Sequence, residues 1–154
     1  MSTPFYTQVA LDGYDDPDAC LTVLLAAGIT AFSGYNDIVG PVGSNYQGQA
    51  LAWDGSNANQ MRLAGAGDPV VARLKTVENR LVEGHNIGVA QFKFSDLMPI
   101  DPAATGSAIP VVGSTVKGGA TPGTVQACTG AEAFAPTAPR VVEVRGTNVV
   151  VFKL

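Results

Sequence analysis

Residues 69–84 read PVVARLKTVENRLVEG, and residues 87–94 read IGVAQFKF. The first stretch decides the fold and can be taken two ways. Val70, Leu74, Val77 and Leu81 fall at helical spacing, with Asp68 as cap, Pro69 in the first turn and Gly84 as stop. The same residues also alternate as a strand. Val70, Ala72, Leu74 and Thr76 then face one way and Arg73 and Lys75 face outward, in a segment rich in valine. Residues 87–94 are plainer. Ile87, Val89, Gln91 and Lys93 share one side, and Gly88, Ala90, Phe92 and Phe94 share the other, as in a strand. Periodicity alone leaves 69–83 open between helix and strand.

Toward the C-terminus the pattern is β. Residues 95–108 carry two prolines and read as a loop, and Ile109–Val116 and Thr124–Cys128 read as strands. Arg140–Arg145 and Asn148–Lys153 flank Gly146-Thr147 as a hairpin. Thr129–Pro139 is a loop with one large apolar anchor, Phe134. Toward the N-terminus, Gln49–Trp53 and Gln60–Ala64 form a second hairpin around Asp54-Gly55-Ser56-Asn57, while residues 33–48 are turn material. Asp16-Pro17 resembles a helix start and Gly28 a helix stop, yet Leu21, Val23 and Leu25 alternate as in a buried strand. The cap signals favour a short helix over 17–27. The expected fold is mostly β: a small barrel or sandwich at 47–154, preceded by an extended arm and loop-rich segment at 1–46.

Composition narrows the function. The 154 residues are 46% hydrophobic and only 14% charged, with 18 Gly and 10 Pro, which implies short elements and many turns. Nine bases against 13 acids leave a net charge of −4. Nucleic-acid binding is driven by phosphate neutralisation, so this chain is a poor candidate for it. Residues 1–60 hold six acids and no Lys or Arg. That charge reads either as a solvated acidic face or as an acidic arm that docks on a basic surface of a partner or a neighbouring subunit. The first positive side chain is Arg62, and the apolar run 19–31 is too short to span a bilayer, so neither a secretory signal nor a membrane span is expected. Synthesis in the cytoplasm is the expectation, with Cys20 and Cys128 as buried thiols rather than a disulfide.

No motif for turnover emerges. His85 is a lone histidine in a turn, without the nucleophile and orienting acid that a catalytic base needs. Asp12, Asp15, Asp16 and Asp18 cluster, but Pro17 interrupts them and no glutamate follows in calcium-loop register. Gly65-Ala66-Gly67 precedes Asp68, which would face the phosphates of a dinucleotide, so this is a turn. No catalytic, metal or cofactor site is expected. Seven of the eleven aromatics fall within the first 53 residues. Aromatics so placed either cover the ends of the barrel or form a protein interface with a capsid or another subunit. For the second reading the candidate residues are Phe5, Tyr6, Tyr14, Tyr35, Tyr46 and Trp53, with Asp15 and Asp16.

Three runs carry a family resemblance: Gly67-Asp68-Pro69-Val70-Val71-Ala72-Arg73-Leu74, then Val77-Glu78-Asn79-Arg80, then Glu83-Gly84 and Ile87-Gly88-Val89-Ala90. With the glycine-rich segment 112–119 and the C-terminal hairpin, they resemble small head decoration, or cement, proteins of tailed bacteriophages. Ala72 stands where that pattern often has glycine. The resemblance covers about residues 47–154 and tips 69–83 to strand. It implies a virion protein on the outer capsid surface, clamping capsomers of the major capsid protein and self-associating as a dimer or trimer. The competing readings are another virion β-module of tail or connector, and a ligand-binding β-module or enzyme.

Overall fold

The computed structural model describes residues 12–29, 32–36, 40–43, 46–56, 60–80, 85–130, 133 and 138–154. Within the ambiguous stretch 69–83, residues 72–80 form a strand and not a helix, residues 69–71 precede it without strand structure, and 81–83 lie outside the described residues. In chain order the strands are β1 (Tyr14–Asp15), β2 (Cys20–Leu25), β3 (Phe32–Asn36), β4 (Gly40–Gly43), β5 (Ala50–Trp53), β6 (Gln60–Leu63) and β7 (Ala72–Arg80). They continue as β8 (His85–Gln91), β9 (Phe94–Pro99), β10 (Val116–Gly118), β11 (Val125–Ala127), β12 (Arg140–Arg145) and β13 (Asn148–Lys153).

Five strands close a barrel in the order β2-β6-β5-β7-β8, and β2 pairs back onto β8. Four of its seams are antiparallel and the β2–β6 seam is parallel. A four-stranded sheet, β1-β9-β13-β12, forms a second layer. The pairs β3–β4 and β10–β11 stand as two-stranded sheets.

β5 lies between two cores. Its Leu51 enters the barrel with Val23, Leu25, Met61, Leu74 and Ala90. Its Ala50 and Ala52 face the other way, toward Phe94, Met98, Val141, Val149 and Val151 of the second layer. Side chains alternate along a strand, so one short strand serves both layers. The two alanines keep its outer face low enough for the second sheet to approach.

Several expectations are corrected. The 17–27 helix does not form. Asp16 does cap, its carboxylate accepting from the Asp18 amide at 3.0 Å, but it closes only a 3-10 turn at Pro17–Ala19. Val23 and Leu25 then alternate into the barrel as part of β2. Thus a barrel strand begins within residues that the sequence reading set ahead of the β-domain. Residues 33–48 include the β3–β4 hairpin. Residues 95–99, read as the start of a loop, belong to β9, which is held between β1 and β13. Residues 109–114 form no strand: Ile109 is a bend and Val112-Gly113 a turn, Thr115 makes an isolated bridge to Arg140, and strand begins only at Val116. His85 opens β8, opposite Arg80, instead of sitting in a turn. Arg73 does not point to solvent: its side chain is 14% exposed and bridges the layers, donating to the Leu97 carbonyl and the Gln91 side chain, each at 2.8 Å, beside Asp96.

The end of β10 meets the 65–68 turn at a point where backbones nearly touch. Gly118 exchanges hydrogen bonds with the 65–68 turn: its carbonyl accepts from Gly67 at 3.1 Å and its amide donates to Asp68 at 2.8 Å. A Cβ on Gly118 would overlap the Gly65 carbonyl oxygen, which is backbone and cannot swing aside. Gly118→Ala therefore destabilises the protein by about 1–3 kcal/mol or more. Gly55→Ala, where a Cβ meets open space, changes stability by less than about 1 kcal/mol. Urea denaturation of the two variants checks the contrast.

Candidate functional site

Leu154 and Leu21 of β2 are exposed one at a time, at 83% and 54%, whereas three large apolar groups are exposed together on one short turn. Pro110 is buried and anchors the segment, while Ile109, Val111 and Val112 are 48%, 61% and 64% exposed. Val111 to Ser114 forms a β-turn closed by the Ser114 amide donating to the Val111 carbonyl at 2.9 Å. Gly113, at φ 89°, takes the left-handed position such a turn requires. The Ser114 hydroxyl accepts from the Val111 amide at 3.0 Å, and Gly113 donates to the Val141 carbonyl at 2.8 Å. Backbone bonds on both sides thus hold two β-branched side chains outward in one orientation.

A cavity of about 390 Å³ opens where the barrel meets the second layer. Val70 and Val71 wall it from the barrel side, Val116 and Pro139 from the other, and Lys117, Lys153 and Cys128 complete it. Lys153 donates to the Phe92 carbonyl at 3.0 Å. Burial, and then the nearby charge of Lys93, push its ammonium below the ordinary lysine range. Cys20 and Cys128 are half-buried and form no disulfide.

The sequence-predicted interface residues are spread out. Phe5 and Tyr6 lie outside the described residues, as does Phe134. Tyr14 and Asp15 form β1 and pair with Ser95 and Phe94 of β9. Asp16 caps the 3-10 turn. Tyr35 lies in β3. Tyr46 packs, partly buried, against the barrel core. Trp53 is 47% exposed and tilts 31° against Phe92 at 6.0 Å between centroids. Asp12, in the acidic N-terminal segment, has a basic partner within the chain. It pairs with Arg145 of its own second layer at 3.2 Å, in a group completed by Glu143, and the Arg145 hydrogen bond holds its carboxyl below the usual range.

Sequence reasoning missed the turn at 109–114, whose apolar residues were read as strand, and it missed Asp101. That carboxylate is 2% exposed and organises the 119–121 turn. It accepts from the Ala103 amide at 3.1 Å, the Ala120 amide at 2.7 Å and the Thr121 hydroxyl at 3.1 Å. Asp-Pro-Ala at 101–103, with the side chain accepting two residues on, is a legible turn signal. Among the described residues no three of His, Cys, Asp and Glu gather to hold a metal ion, and no helix is long and apolar enough to cross a membrane.

No family model, curated protein or solved structure matches this chain.

Burial raises the Asp101 pKa, but its hydrogen bonds to Ala103, Ala120 and Thr121 outweigh burial and hold it below 3.8. A carboxyl with a depressed folded-state pKa stabilises the fold above its unfolded value, and that contribution disappears as pH falls through the folded value. Asp101→Asn would set an NH2 against donors that now point at a carboxylate. It costs about 1–3 kcal/mol at pH 7. It also shallows the loss of stability below pH 3.8, the ordinary value for this carboxyl. Denaturation midpoints across pH 2–7 check both effects.

Proposed function

We propose that this protein is a capsid decoration protein of a tailed phage. In this reading it binds the outer face of the head, stabilises contacts between capsomers of the major capsid protein, and acts as a dimer or trimer. The observation that carries the reading is the Val111–Val112 turn. An apolar pair fixed outward by its own backbone has little conformational entropy left to lose on docking. Each valine buried against a partner contributes about 1.5–3 kcal/mol. On an icosahedral shell this modest contact repeats at many equivalent places, and links between copies convert weak single contacts into firm attachment. The family resemblance of residues 67–90 supports the same assignment.

The reading predicts that gold-labelled antibody to this chain decorates whole heads of the phage that encodes it, and that heads lacking it release DNA at a lower temperature. The double variant Val111→Ser/Val112→Ser melts within a few degrees of the parent, because both side chains already face water. It binds heads at least about tenfold more weakly in a sedimentation assay. Label confined to the tail or one vertex would instead mark another virion component. Heads equally heat-stable without the chain, or head binding unaffected by the double variant, would overturn the proposal.

A further inference from the structure

We infer that the seam cavity beside β10 and β13 is a binding site for a small amphiphilic monocarboxylate, a compound with a short apolar tail and one anionic head. Its volume of about 390 Å³ lies in the range of ligand pockets, and the balance of its lining fits as well. Val70, Val71, Val116 and Pro139 offer an apolar wall that a hydrocarbon tail covers with no polar group left stranded. Lys117 and Lys153 bring two cations to the same hollow. One of the three Lys153 donors is used by the Phe92 carbonyl, and no carboxylate pairs with this amine among the described residues. Among the described residues this half-buried ammonium meets a second ammonium, Lys93, and no counter-charge. An incoming carboxylate supplies one, through charge-assisted hydrogen bonds stronger than neutral ones. A neutral ligand would leave that cation uncompensated and an inorganic anion would leave the valines wet, so the chemistry selects a molecule that is both apolar and anionic. The site is separate from the Val111–Val112 turn, and its occupation does not depend on any capsid.

The test uses octanoate with the full chain in solution, read by calorimetric titration. Octanol supplies the same tail without charge, and acetate the charge without the tail. Octanoate is expected to saturate a single site, with octanol and acetate weaker by about tenfold or more. Lys153→Met and Lys117→Met, which keep an apolar stem, each lower octanoate affinity by about tenfold. If loss of the Phe92 contact unfolds the first variant, the second still decides. Cys128 lines the cavity and Cys20 does not, so saturating octanoate should slow alkylation of Cys128 by iodoacetamide while leaving Cys20 unchanged. No saturable octanoate binding, octanol binding as tight as octanoate, unaltered affinity in both Met variants, or unchanged Cys128 labelling would each overturn the assignment.

Discussion

Everything in this protein rests on β5 having two buried faces. Leu51 is the barrel's share of that strand, and Ala50 and Ala52 are the second layer's. All three are almost fully buried. Large side chains at 50 and 52 would hold the β9–β13–β12 sheet away, and a small one at 51 would hollow the barrel. The strand also carries backbone ties in both directions. Its Ala50 amide donates to the Gly123 carbonyl at 2.8 Å, and its Leu51 carbonyl accepts from Val71 at 2.9 Å. Interiors are close-packed and transmit strain, so barrel and sheet behave as one body.

The polar groups at this junction serve the same end. Arg73 reaches from β7 to Gln91 of the barrel and to Asp96 and Leu97 of the second layer. Asp101 gathers the 119–121 turn, next to the glycines that let the loop lie against β5 and β6. A buried charge costs several kcal/mol unless its hydrogen bonds are made. These two groups have their partners, and they fix the angle at which the layers meet. The seam cavity lies along that junction, and the Val111–Val112 turn is held by backbone bonds to Val141 of the second layer.

What could be read from the sequence follows from the same physics. The β12–β13 hairpin was legible to the residue, because Gly146, at φ 59°, and alternating valines point to one structure. The β5–β6 hairpin was legible for similar reasons. Residues 69–83 were ambiguous for a physical cause. β7 has a register shift between Leu74 and Thr76, so Leu74 and Val77 both reach the barrel core three residues apart, imitating a helix. Asp16-Pro17 is a true cap signal on a turn too short to be a helix. β9 escaped notice because Ser95 and Asp96 are polar in a strand paired on both sides. Ile109–Val112 misled in the opposite sense: apolarity and valine content indicate a strand, and Pro110 with Gly113 makes a turn that shows its valines to water. The aromatic clustering found Trp53 as an exposed group and Tyr46 as a core one, since composition does not tell an interface from a packed edge.

The central claim is that β5 makes barrel and second layer a single cooperative unit. Native-state hydrogen exchange tests it most directly. Under increasing urea, the amides of Ala50 in β5 and of Val150 and Val151 in β13 should exchange only by global unfolding, with one shared free energy and one shared urea dependence. If the β13 amides exchange through a smaller opening while Ala50 stays protected, the second layer unfolds alone, and the account of a welded two-layer platform is contradicted.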